Sequence, residues 1–155
     1  MEFSEETRKK FEQILRRYPR KEAALLPALY LAQEEFGYLS PEAIQYVAEL
    51  MEIPPPQVYG VATFYTMFNK EPVGKYHIQV CNNISCSLKG ADGLVGYLKE
   101  KLGINVGETT PDKKFTLSTV ECLGFCENAP AMQINDDYYP DLTTEKIDEI
   151  LEKLK

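Results

Sequence analysis

The sequence predicts an α+β chain: a helical N-terminal domain over residues 1–70, followed over residues 71–155 by a small sheet with helices packed on it. Three observations predict it. Apolar residues recur at helical spacing through residues 1–70. After Gly74 the pattern changes to short β-like runs bounded by turn residues, with two helical stretches between and after them. A chain of 155 residues, 44% hydrophobic, is long enough to bury a core without disulfide staples.

Each element follows from local chemistry. Ser4 can cap a first helix, with Glu5 and Glu6 set against the positive end of its dipole. Phe11, Ile14, Leu15 and Tyr18 give that helix one apolar stripe, and Pro19 ends it. A second helix carries Leu25, Leu26, Leu29, Tyr30 and Phe36. Pro27 belongs in its first turn or kinks it, and Gly37 stops it. Ser40 followed by Pro41 opens a third helix, on which Ile44, Val47, Ala48 and Met51 repeat at helical spacing. Pro54, Pro55 and Pro56 break it and open a fourth over 57–68. That stretch is apolar nearly all round and is expected to be buried, in the core first, against a partner second.

Residues 70–74 read as a linker. Beyond it come a strand at 75–80, a helix at 87–102 closed by Gly103, and a second strand at 114–120. A third strand at 131–135 and a short fourth at 138–139 are joined by an Asn-Asp turn. Thr143 caps a last helix. Leu142 and Ile147 form a hydrophobic staple, and Ile147, Ile150, Leu151 and Leu154 face inward.

Composition excludes several functions. The net charge of −7 weighs against nucleic acid as a partner. Residues 121–155 hold nine acidic and three basic side chains, which makes a solvated acidic face or one that meets a more basic protein. No apolar run is long enough to span a bilayer, and the charged start, Met-Glu-Phe-Ser-Glu-Glu-Thr-Arg-Lys-Lys, is no signal peptide. The expectation is a cytosolic protein with no direct membrane insertion, where disulfides are rare. G-x-G-x-x-G and Walker A sequences are absent, so the chain has no evident nucleotide site of its own. The one histidine, His77, reads as a strand-surface residue on the face opposite Ile78 and Val80.

The chemistry lies in four cysteines. Cys81 and Cys86 are spaced C-x4-C, Cys122 and Cys126 are spaced C-x3-C, and 35 residues separate the pairs. Each pair follows a β-like run, so two strand ends can bring four thiolates to one place. The leading reading is a [2Fe–2S] cluster that passes electrons, since two bridged irons need four soft anionic ligands. Gly90, Gly93 and Gly124 would let the backbone approach such a cluster, or would serve as turns. Structural zinc stays open, although both spacings fall at the wide end of its range. A thiol redox pair stays open too, although C-x-x-C is absent.

Four stretches carry a resemblance: Phe36-Gly-Tyr-Leu-Ser40, Val58-Tyr-Gly-Val-Ala-Thr-Phe-Tyr-Thr-Met-Phe68, Cys81-x4-Cys86 and Leu123-Gly-Phe-Cys-Glu-Asn-Ala-Pro130. Together they closely resemble the NuoE family of respiratory complex I (NADH-quinone oxidoreductase) subunits, over nearly the whole chain. The resemblance implies a thioredoxin-like α/β ferredoxin domain with a small mixed sheet. It implies one [2Fe–2S] cluster held by the matching positions Cys81, Cys86, Cys122 and Cys126. The implied partner is the larger, NuoF-like subunit that binds NADH and FMN, alongside further subunits of the cytoplasmic peripheral arm. The chain would then be an enzyme subunit with no complete active site of its own. Related subunits serve NAD-linked hydrogenases and formate dehydrogenases, which remain an alternative; an alternative of a different class is a zinc-stabilised adaptor. Thioredoxin-like folds often carry a cis proline before the strand that faces the active loop, and Pro130 occupies that place. The segment 57–68 and the N-terminal helices are the expected partner surface.

Overall fold

In the computed structural model, which describes residues 1–154, the chain falls into two units, Met1–Pro72 and Val73–Lys155. The first contains α1 (Glu5–Leu15), a 3-10 turn (Lys21–Ala24), α2 (Leu25–Phe36), α3 (Pro41–Met51) and α4 (Pro55–Phe64). Ser4 caps α1 by accepting from the Thr7 amide. The Ser4 amide and the Thr7 hydroxyl both donate to the Glu35 carboxylate, at 2.8 and 2.7 Å, tying the start of α1 to the end of α2. Pro27 sits in the first turn of α2, where it forfeits no helical hydrogen bond, and Gly37 ends the helix at φ 84°. Ser40 caps α3 and Pro41 opens it.

Three expectations in this unit are corrected. Helix α1 stops at Leu15, so Tyr18 lies beyond it and is exposed rather than on its stripe. Helix α3 is ended by Glu52 in the left-handed conformation, ahead of the proline run. Helix α4 ends at Phe64 and is mostly exposed: Val58 and Ala62 are buried, whereas Tyr59 is 55% and Phe64 77% exposed. The reason for the early end is a competing set of hydrogen bonds. The Gln33 amide group donates to the Met67 carbonyl at 3.1 Å and accepts from the Asn69 amide at 2.6 Å, while Leu39 donates to the Asn69 carbonyl at 2.7 Å. These contacts satisfy the backbone in a loop and return Phe68, fully buried, to the core. Phe3 enters the same core, its ring 5.1–6.0 Å from those of Phe11, Phe36 and Tyr46.

The second unit carries four strands, β1 (Tyr76–Cys81), β2 (Phe115–Val120), β3 (Met132–Ile134) and β4 (Asp137–Tyr139), in the order β2-β1-β3-β4. Strand β1 is parallel to β2 and antiparallel to β3, and β3 and β4 form a hairpin. Asn135 takes φ 52° at that hairpin turn.

The single helix expected at 87–102 is two. A short α5 (Ile84–Leu88) comes first, and Gly90 at φ 91° then breaks the helical run and caps α6 (Ala91–Leu102). Leu88, at the end of α5, is 82% exposed. Ile78, Val80, Leu117, Met132 and Ile134 are buried under α6 and α7 (Thr144–Lys153). Tyr97 and Lys101 of α6 both bond to Asp148 of α7, fixing the two helices side by side. His77, Gln79, Ser118 and Gln133 alternate onto the other, more polar face of the sheet.

Gly74 packs where no side chain fits. A Cβ there would lie 2.9 Å from backbone atoms of Lys114 and Phe115, and its amide already donates to Thr116 Oγ1 at 2.6 Å. Gly74→Ala is expected to destabilise the second unit by about 1–3 kcal/mol. A denaturant midpoint equal to wild type would contradict this.

Candidate metal centre

Parallel pairing brings the C-terminal ends of β1 and β2 together, with Cys81 opposite Val120. Cys81 is the last residue of β1, and Cys122 lies two residues past β2. Strand β3 runs the other way, so the chain entering it reaches the same end: the Cys81 amide donates to the Ala131 carbonyl and the Asn82 amide to that of Val120, each at 3.0 Å. Asn83 caps α5 by accepting from the Ile84 amide, which sets Cys86 in the middle of this short helix. Cys126 opens a 3-10 turn, Cys126–Asn128. The Ala129–Pro130 peptide that follows is cis.

Packing joins the two cysteine loops. Leu123 and Ala129 lie against a buried group of Cys81, Cys86 and Ala91. Cys81 and Cys86 are each 3% exposed, whereas Cys122 and Cys126 are on the surface. All four thiols are free. Burial, then a hydrogen bond with Cys81, push the Cys86 thiol above its ordinary value; the Ala131 amide works against them, and the nearness of Cys81 and Cys126 works with them.

The sequence marked three glycines for close approach. Gly124, at φ 77°, directs its amide to Cys122 Sγ at 3.3 Å. Gly90 caps α6 and Gly93 lies within it, so these two serve helix geometry instead. Several features of the site went unread in the sequence: the Asn83 cap, the packing of Leu123 and Ala129 against Cys81 and Cys86, and a set of apolar side chains at or near the surface. Ile84, 72% exposed, and Leu88 flank Cys86 on α5, and the Phe125 and Tyr138 rings stack at 5.2 Å. The signal for the first was an Asn directly before an apolar i, i+4 pair.

The donor set suits a soft metal group: thiolates are what iron–sulfur centres take, and no thiol is spent in a disulfide. Among the described residues, no three His, Cys, Asp or Glu side chains group as a single metal ion would need. A two-iron group makes a different demand, two ligands at each of its ends.

His77 stands apart from this centre. Its Nε2 lies 2.8 Å from Ser118 Oγ. Burial holds the imidazole below its ordinary value. The folded chain thus prefers the neutral ring, while the unfolded ring protonates near 6.5. The contribution to stability is full above about pH 6.5 and is lost as pH falls from there through the lowered folded value. His77→Gln is expected to flatten stability across that window. Urea midpoints with the same pH slope in both proteins would refute this.

A parallel β-α-β start, an antiparallel finish and a last helix, with cysteines at the strand ends, define a thioredoxin-like α/β protein. The chain belongs to the thioredoxin-like [2Fe–2S] ferredoxin family, whose model matches residues 11–155. It is 52% identical over 147 residues to the NuoE subunit of the NADH-quinone oxidoreductase of Rickettsia conorii, covering 93% of this chain and 88% of that protein. It is 47% identical over 148 residues to a NuoE subunit of Rhizobium meliloti, covering 96% and 88%. Among solved structures it resembles an NAD+-reducing [NiFe]-hydrogenase in the air-oxidised state, with a TM-score of 0.73 and 28% identity. That match covers 84% of this chain and 22% of the hydrogenase chain. Among the described residues no helix is long and apolar enough to cross a membrane.

Proposed function

We propose that the chain is the electron-transfer subunit of an NADH-quinone oxidoreductase, holding one [2Fe–2S] cluster on Cys81, Cys86, Cys122 and Cys126. In this reading it exchanges electrons with FMN on a partner subunit that oxidises NADH, in the cytoplasmic peripheral arm of the complex. The observation that carries it is the set of four free thiols at the common end of β1 and β2, in a chain of this family. The likeness to NuoE subunits of NADH-quinone oxidoreductases supports the parent enzyme.

When bound, a [2Fe–2S] cluster takes up and gives back one electron at a time. The chain's own residues do the rest. The four cysteines anchor as thiolates. The Gly124 amide at Cys122 and the Ala131 amide at Cys86 stabilise negative charge on sulfur. Leu123, Ala129 and Ala91 exclude water from the Cys81–Cys86 side. Ile84, Leu88 and Tyr138, exposed beside the cysteines, offer apolar surface to a partner. Residues 71–155 thus form the cluster-holding domain. The helical domain, residues 1–70, contributes a second surface, the exposed Tyr59 and Phe64 of α4.

A second reading is the equivalent subunit of an NAD-linked hydrogenase or formate dehydrogenase, favoured by the hydrogenase likeness. The parent enzyme is tested by which flavoprotein copurifies with the tagged chain. The cluster is tested by assay of iron and acid-labile sulfide on anaerobically purified protein, with EPR after dithionite reduction. The expected result is two irons and two sulfides per chain and one S = 1/2 signal. Stoichiometric zinc without sulfide would overturn the proposal.

A further inference from the structure

The four cysteines differ in their surroundings, and the difference runs between the pairs. Cys81 and Cys86 are both buried, grouped with Ala91 and covered by Leu123 and Ala129. Cys122 and Cys126 are both exposed. A cluster bridging the pairs would have one end in a low-dielectric pocket and the other at the water boundary.

We propose that Cys122 and Cys126 hold the electron-accepting end of the cluster, and that Cys81 and Cys86 hold an anchoring end whose iron stays ferric on reduction. This inference rests on the [2Fe–2S] reading. One-electron reduction adds one negative charge, and the charge settles where its desolvation is smaller. Water reaches the Cys122–Cys126 end and is excluded from the other.

The neighbouring dipoles agree in direction. The Gly124 amide is aimed at Cys122 Sγ at 3.3 Å and stabilises negative charge at that end. The Glu121 carbonyl acts in the same direction from the other end. Its oxygen lies 3.9 Å from Cys81 Sγ, where it disfavours further negative charge on that sulfur. Exposure and dipoles both place the electron on the Cys122–Cys126 side.

The step balances simply. One electron leaves a reduced flavin on the partner, which retains its other electron, and one ferric iron becomes ferrous. No bond to carbon, nitrogen or oxygen is made or broken, and no proton is needed for the electron to arrive. The electron enters at the end that reaches the surface, which shortens the path from a docked donor.

The test uses the wild-type holoprotein, with cysteine β-carbons labelled and the protein reduced by dithionite. Proton NMR is followed with temperature. The β-protons of cysteines on the ferric iron lose shift on warming, and those on the ferrous iron gain it. Assignment runs through sequential neighbours and the Gly124 contact. The expected result is the rising pair at Cys122 and Cys126 and the falling pair at Cys81 and Cys86. The reverse pattern, one residue of each pair on each iron, or four cysteines behaving alike would overturn the proposal. Iron and sulfide are measured on the same sample. A chain that takes up neither removes the electron-carrier reading itself, a separate failure from a loaded chain with the wrong pattern.

Discussion

Phe68→Ala is expected to cost the first unit about 3–5 kcal/mol, the largest loss from any single truncation in that unit. Phe68 is the largest of the fully buried side chains. Its ring centre lies 5.2 Å from that of Tyr30, edge-on, and 6.5 Å from that of Tyr65. Removing it forfeits transfer energy, leaves a cavity and deletes aromatic contacts worth about 0.5–1.5 kcal/mol each. The surroundings have little freedom to collapse, because the loop backbone is held by Gln33 on one side and Leu39 on the other. A two-unit chain need not unfold in one step, so amide exchange is the better measure. Protection should fall across residues 1–72 and persist across the β1–β3 sheet. Unchanged protection in the first unit would show that the ring contributes little.

Cys126→Ala should separate holding a cluster from holding the fold. Cys126 is exposed and packs into no core, so the cluster-free variant should match wild type in stability within about 0.5 kcal/mol. Iron uptake is another matter. One iron would be left with a single protein ligand, and iron retained after anaerobic reconstitution and desalting should fall by more than about tenfold. A variant that keeps two irons and two sulfides would remove Cys126 from the ligand set. One that loses iron and stability together would show that its thiol has a packing role.

What the sequence made legible divides by range. The Ser4, Ser40 and Thr143 caps were readable because capping is decided within three residues. The four strands were readable from alternation, with ends displaced by a residue or two. The cysteine pairs were readable from spacing and from the runs preceding them. Helix α4 was extended too far, because an apolar stretch looks continuous whether or not distant Gln33 claims the backbone beyond it. Gly90 was read as a possible approach point, and its left-handed turn split one expected helix into two. The unequal burial of the two cysteine pairs was not readable. It is set by Leu123 and Ala129 folding over Cys81 and Cys86, a contact spanning more than thirty residues.

The sheet order has a consequence for assembly. Strands β2 and β4 are the margins, and neither invites another chain to extend the ladder. The outer side of β2 is already occupied by its own preceding segment: Thr109 bridges Thr116, Gly107 donates to the Leu117 carbonyl and Leu117 to that of Glu108. The other margin, β4, is three residues long, begins at an acidic pair and stops at Pro140, which has no amide hydrogen to give. The β2 margin is thus closed to strand addition, and the β4 margin is short and proline-ended. Side chains on helices and loops are then the surface left for a partner to recognise.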